Sequence, residues 1–350
     1  MLEFLKMKIF AATLLLILTT SFTCRAQEAA KQLATVSNEL ERQLSTLKVS
    51  DDLNKQCTKD IAAARNALKL GNLYSSLYTI RRCYVELESL SYAASKTDIS
   101  TKGAEAFDQE WRQLAATLND KEQKLPRAGS KQLPAVVIGL ADASQIQVNS
   151  YYQSGRLIAL KGNIAEGLLN LGRASANLDF AFFCRGLRFP APKSTMEFRS
   201  VAPELKKLET AALRTYKSVG ADTQPAEFTE LKSNLEVAEK LNAASQFEGA
   251  LFKYLESHLS FGLIITSAEK QDLQHLRERN EELGKSLKAG KNDNSIALLF
   301  WQMAEEALDP DTSEQPTQPQ IKRAVVILNI VVPDYLDYLK STPVKAALRQ

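Results

Sequence analysis

Two stretches of the chain share one pattern of glycine, asparagine and apolar residues. The first, "LKLGNLYSSLYTIRRC", spans 68–83, and the second, "ALKGNIAEGLLNLGRA", spans 159–174. A third stretch, "LKSNLEVAEKLNAASQFEGALFKYLES" at 231–257, aligns with an offset of 83 residues from the second and matches its small and large positions, with Ser245 and Gln246 in place of Gly and Asn. Each copy places a turn residue between two segments of helical periodicity. The repetition therefore predicts helical hairpins that turn at Gly71, Gly162 and Ser245.

Small residues recur in register on both helices of each predicted hairpin. Opposed small side chains let two antiparallel helices approach closely. The pairs are Ala64 with Ser76, Gly155 with Gly167, and Ala238 with Ala250. Large residues open the second helix of each copy at Leu73, Ile164 and Phe247. This order of small, turn, large and small residues resembles tetratricopeptide-type (TPR-like) helical-hairpin repeat proteins.

Composition favours an all-α fold, and the repetition predicts helical-hairpin repeats stacked as an α-solenoid or an elongated helical bundle. The 350 residues are 45% apolar and include only 14 Gly and 11 Pro. Unlike tandem TPR-like repeats of ~34 residues, each hairpin is followed by a linker and a further helix, predicted within 105–125, 203–219 and 269–289. A generic bundle whose small residues coincide is the alternative. The predicted organisation is helical unit 1 at 27–128, unit 2 at 135–220, unit 3 at 224–310 with a possible fourth hairpin from 283, and a C-terminal apolar helix and tail at 317–350.

Both ends of the chain carry apolar stretches of different kinds. Near the N-terminus, Lys6 and Lys8 precede 14 mostly apolar residues at 9–22, fewer than the ~20 that span a bilayer. This pattern predicts a secretory signal peptide at 1–26, hence an exported protein, periplasmic or extracellular in a bacterial cell envelope, with no transmembrane span in the mature chain. The alternatives are a retained membrane anchor, a buried helix, and cleavage before Cys24 to give a lipid anchor. At 321–341 we expect a buried helix that stops or kinks at Pro333, with a β-strand as the alternative.

The cysteines give a testable pairing. Cys57 lies seven residues before Ala64, and Cys83 lies seven residues after Ser76. The antiparallel pairing that joins Ala64 to Ser76 therefore also brings Cys57 to Cys83, and an exported protein can oxidise such a pair. Cys184 would remain a buried thiol. Three unpaired cysteines remain the alternative.

Composition and motifs favour no catalytic, metal or cofactor chemistry. The formal net charge is +3, and no dense basic run predicts a nucleic-acid partner. His258 and His275 are the only histidines and have no second ligand at helical spacing. The fragment "ESHLSFGLI" at 256–264 faintly resembles the region around the catalytic glutamate of lytic transglycosylases, but we expect Glu256 to be a solvated surface residue.

We therefore expect a non-enzymatic interaction scaffold that binds a segment of a partner protein in a helical groove. In TPR-like stacks the first helix of each hairpin lines the concave face, which implies binding roles for Arg65 and Arg156, with Lys69 and Tyr152 on the same surface. Arginine can hold a carboxylate through paired donors. The other functions considered are a cell-envelope enzyme that acts on peptidoglycan and a carrier of an apolar ligand.

Overall fold

The computed structural model describes residues 25–126, 133–192, 196–219, 226–266, 272–309 and 315–341. Within these residues the chain forms helices and no strand, so the predicted all-α class is confirmed. Apart from Arg25 and Ala26, the predicted signal peptide lies outside the described residues, and so does Cys24. No helix in the described ranges combines the length and the apolar character needed to cross a bilayer.

The helices are numbered in chain order. They are α1 (25–46), α2 (Asp51–Leu70), α3 (Leu73–Ser95), α4 (Thr97–Lys102), α5 (Ala104–Lys124), α6 (Ala135–Gln145), α7 (Val148–Leu160), α8 (Ile164–Gly186), α9 (Ala202–Val219), α10 (Ala226–Ala243), α11 (Phe247–Ile265), α12 (Leu273–Ala289), α13 (Ser295–Leu308), α14 (Gln318–Val326) and α15 (Val332–Lys340).

The three predicted hairpins turn in one backbone conformation. Gly71, Gly162 and Ser245 have φ values of 80°, 91° and 59°, in the left-handed region that ends many helices. In each case the following N–H donates to the carbonyl five residues back: Asn72 to Ala67 (2.8 Å), Asn163 to Ile158 (3.3 Å) and Gln246 to Leu241 (2.9 Å). The sequence thus located the three turns to the residue.

The small residues of the second hairpin lie in close contact, as the pattern predicts. A Cβ atom added to Gly155 would lie 2.9 Å from the carbonyl oxygen of Gly167, and one added to Gly167 would lie 2.9 Å from that of Gly155. Side chains at these positions would therefore force α7 and α8 apart. In the third hairpin Ala238 and Ala250 are fully buried.

Helix α6 occupies the centre of the molecule, which the sequence analysis did not predict. Every residue from Ala135 to Ser144 is buried, and α6 packs against α8, α11 and α13. A run such as "AVVIGLADA", apolar or small on all sides, is typical of a helix that is surrounded by others. The repeat pattern does not reveal this helix, because α6 lies outside the three predicted hairpins.

The first and last parts of the chain also meet. On α3, the backbone N–H of Ser75 donates to Oε1 of Gln302 on α13 (3.0 Å), and its hydroxyl donates to Glu306 (2.8 Å). The main hydrophobic core includes buried residues of α1, α3, α13 and α15, whereas buried residues of α4, α5 and α7 belong to a second cluster. Units of a linear solenoid contact only their neighbours, so the contact between α3 and α13 favours a compact bundle. The repeat arrangement and its unit boundaries stay predictions.

The C-terminal apolar segment is helical, but it does not stop at Pro333. Residues Ile327–Val331 form a π-helical turn between α14 and α15, in which the Val332 N–H donates to the carbonyl of Ile327, five residues back. Pro333 has no N–H to donate. The wider turn lets the chain continue as a helix to Lys340.

Candidate functional site

The two arginines predicted to bind a partner are held by carboxylates of this chain. Arg65 on α2 pairs with Glu41 of α1 at 2.6 Å and donates to Asn38 at 2.7 Å. Arg156 on α7 lies 3.3 Å from Asp108 of α5. Each arginine therefore joins the first helix of its hairpin to a helix earlier in the chain.

The other two predicted binding residues lie in different surroundings. Tyr152 is buried; its ring stacks on Trp111 with centroids 4.9 Å apart, and its hydroxyl donates to the Trp111 carbonyl at 3.0 Å. The guanidinium of Arg156 covers the same indole at 4.1 Å. Lys69 is exposed in the last turn of α2. A binding role for these four residues stays a prediction, and the contacts of three of them are accounted for within the fold.

Cys57 and Cys83 lie at disulfide distance, with Cα atoms 5.4 Å apart. They join α2 to α3 at the end of the hairpin away from Gly71. Cys184 on α8 is buried and unpaired, and burial raises the pKa of its thiol far above the usual range. The pairing is compatible with an oxidising, exported location.

A polar cavity of about 430 Å³ lies where several helices converge and is open to solvent at Arg82 and Glu230. We call it the central cavity. Its lining comprises Gln56, Asp60, Tyr78, Thr79, Arg81, Arg82, Val85, Glu86, Gln147, Tyr151, Asn177, Glu230, Glu256 and Arg323. These residues come from α2, α3, α7, α8, α10, α11 and α14, together with Gln147 just before α7, so no local stretch of sequence specifies the cavity.

Glu256 belongs to a buried charge network at this cavity, and the expectation of a solvated surface glutamate is wrong. Its carboxylate lies 2.5 Å from Lys253 Nζ, and both side chains are 7% exposed. Lys253 also donates to Asn234 at 2.9 Å. Burial lowers the pKa of Lys253, although Glu256 opposes the shift. Burial and the Glu256 carboxylate raise the pKa of Tyr78 well above its usual value.

Three arginines of the central cavity have no carboxylate within ion-pair distance among the described residues. Arg81 makes one long hydrogen bond, to the Ala143 carbonyl at 3.4 Å. The Nε atom of Arg323 is buried and has no hydrogen-bond partner in the described chain. Arg82 is exposed at the cavity. The cavity therefore presents three guanidinium groups that form no ion pair with the described residues, one of which, that of Arg323, has a buried Nε without a hydrogen-bond partner.

An apolar groove of about 560 Å³ lies between α9 and α10. We call it the α9–α10 groove. On α9, Leu213 is 54% exposed and Tyr216 is 41% exposed. On α10, Phe228 and Leu231 are buried and Leu235 is partly buried. Charged side chains also line the groove: Glu209, Lys232, Glu236 and Glu239.

Comparison with known proteins assigns no family. The chain matches no family model, no curated protein and no solved structure. In the part of the chain that the structure describes, no three His, Cys, Asp or Glu side chains are grouped closely enough to hold a metal ion. The functional interpretation therefore depends on the central cavity and the α9–α10 groove alone.

Proposed function

We propose that this protein is a non-enzymatic interaction scaffold whose α9–α10 groove binds an amphipathic helix of a partner protein. The observation that carries the proposal is the exposed apolar surface on α9. Leu213 and Tyr216 are three residues apart, so they lie on one face of the helix, and about half of each side chain remains accessible. Adjacent exposed apolar residues on a soluble domain commonly mark interaction sites.

The opposite wall of the groove is an apolar stripe on α10, in which Phe228 and Leu231 form the buried base and Leu235 is partly exposed. Phe228, Leu231 and Leu235 lie at positions i, i+3 and i+7 of α10 and form one apolar stripe. The Tyr216 ring contacts Phe228 edge to face with centroids 5.7 Å apart. A partner helix would place apolar residues of the same spacing between the two walls, as in helix-in-groove recognition.

Charge at the groove defines the partner further. Glu209, Glu236 and Glu239 line it, against one basic residue, Lys232. Acidic residues at the edge of an interface attract a basic partner and speed its association. We therefore infer that the bound helix carries Lys or Arg on its polar face.

We place the scaffold outside the cytoplasm, in the periplasm or beyond. The signal peptide predicted at 1–26 and the Cys57–Cys83 pair support this location, because disulfides persist in oxidising compartments. Lipid attachment at Cys24 remains the alternative to cleavage after Ala26.

Site-specific photocrosslinking in the native envelope fraction tests the proposal. A photoreactive residue is placed at Leu213 or at Tyr216. The matched control is Leu157 on α7, which is 60% exposed and lies outside the groove. We expect both groove positions to crosslink one segment of one protein, which the control position does not.

A synthetic peptide of the crosslinked segment is then titrated into the purified protein. We expect the peptide to gain helical circular dichroism on binding. Leu213→Asp should weaken binding by at least about tenfold, because it would bury an unpaired carboxylate in an apolar interface. The proposal is refuted if groove and control positions give the same products, if the groove crosslinks only to this chain itself, or if Leu213→Asp binds the peptide normally.

A further inference from the structure

The central cavity adjoins a buried pair of charges, whose removal from water costs free energy. Lys253 and Glu256 are nearly inaccessible, and replacing such a buried pair by apolar residues is often neutral or stabilising. Both residues lie in the interior of α11, so neither caps the end of the helix. Stability alone therefore does not explain why this buried pair lies at the cavity.

The guanidinium groups give the cavity capacity for an anion. Arg81 on α3 and Arg323 on α14 face the same space from different helices. Their donors have no carboxylate within 4 Å in the described chain, whereas Arg173, close by on α8, is paired with Glu86 at 3.1 Å. A planar carboxylate matches the forked donors of arginine.

The acidic lining argues against a ligand that is only an anion. Asp60, Glu230 and Glu256 line the same cavity as the arginines. Burial and the Glu256 carboxylate raise the pKa of Glu230, whereas Lys253 and Arg323 oppose the shift, so these charges act on one another. A phosphate would be repelled by the acids, but a ligand with one positive and one negative group is complementary to both sets.

We propose that the central cavity binds a small zwitterion of the size of an amino acid or a short peptide. The carboxylate lies on Arg81 and Arg323, and the ammonium group lies on the carboxylates of Glu230 and Glu256. The volume of about 430 Å³ falls within the range of small-molecule sites. Asn177 and Tyr151 supply further polar groups along the wall. This site lies apart from the α9–α10 groove and does not depend on the function proposed for it.

Isothermal titration calorimetry of the purified chain tests this assignment. The probes are L-alanine, L-glutamate, L-lysine and the dipeptide Ala-Ala, with N-acetyl-L-alanine as the probe that lacks the ammonium group and inorganic phosphate as the plain anion. We expect at least one zwitterion to bind saturably, and N-acetyl-L-alanine and inorganic phosphate to bind weakly or not at all.

Variants connect binding to the cavity. Arg81→Gln and Arg323→Gln should each weaken the zwitterion by about tenfold or more, since a hydrogen bond to a charged group contributes on this scale. Arg214→Gln, an exposed arginine of α9 outside the cavity, is the matched control and should bind normally. Circular dichroism checks that each variant is folded. If an arginine variant does not fold, Glu230→Gln replaces it and should weaken the zwitterion by a similar factor.

Three results would overturn the proposal. The first is no saturable binding of any zwitterion up to about 10 mM, beyond which affinity is too weak to be specific. The second is unchanged affinity in the folded cavity variants. The third is phosphate binding more tightly than the zwitterions.

Discussion

Replacing Gly172 by alanine should separate two helices that the fold holds in backbone contact. Gly172 on α8 faces Ser89 of α3, and a Cβ atom added there would lie 2.6 Å from the Ser89 carbonyl oxygen and 2.9 Å from its Cα. Ordinary contact begins near 3.4 Å, so α3 and α8 would have to separate by about 0.8 Å. The obstacle is backbone, which cannot rotate away as a side chain can.

The cost follows from two opposing effects. Overpacking of this kind costs up to about 3 kcal/mol. Alanine is favoured over glycine in a helix by about 1 kcal/mol. We therefore expect Gly172→Ala to lower the free energy of unfolding by about 2 kcal/mol, which is about a 30-fold rise in the unfolding constant.

Gly186 is the matched control, because it ends the same helix and an added Cβ would meet nothing within 4 Å. Alanine there removes a similar amount of backbone entropy from the unfolded chain. Gly186→Ala should therefore leave stability unchanged or raise it slightly, and the difference between the two variants isolates the clash at Ser89.

Urea unfolding followed by far-ultraviolet circular dichroism measures the difference. We expect the midpoint to fall for Gly172→Ala and to hold or rise for Gly186→Ala. If Gly172→Ala is as stable as the wild type, or if both variants lose stability equally, the close crossing of α3 and α8 is incorrect.

Three further predictions concern the cysteines and histidines. Reducing the Cys57–Cys83 pair, which closes a separation of 26 residues, should lower the free energy of unfolding by about 3.5 kcal/mol, measured as the urea midpoint with and without reductant. The Cys184 thiol should react with a thiol reagent only after unfolding, because burial raises its pKa and blocks access; fast reaction of the native protein would contradict this. Burial lowers the pKa of His258, so the unfolded chain takes up a proton more readily and stability should fall as pH drops below about 6.5. His258→Gln should lessen this loss of stability, whereas the control His275→Gln, at an exposed position, should not. Thermal melting at pH 7 and pH 5.5 measures the difference.

Local sequence predicted the hairpins well because their signals are local. Gly71, Gly162 and Ser245 turn as expected, and Cys57 meets Cys83, since antiparallel pairing across a short turn fixes which positions are opposite. The roles of side chains on those helices were harder to predict. The repeat predicts a groove position for Arg65, but its partner Glu41 lies on a helix whose position the repeat does not specify.

Local residue patterns are sufficient to predict that the chain is helical, where three hairpins turn and which two cysteines meet. These features depend on backbone preference and on residues within one hairpin. Three features follow from tertiary packing alone: α6 is surrounded by other helices, α13 contacts α3, and Glu256 is buried beside Lys253 at a cavity whose arginines form no ion pair with the described residues. Those features depend on which faces of distant helices pack together, and that choice minimises exposed apolar surface over the whole chain rather than within any one segment.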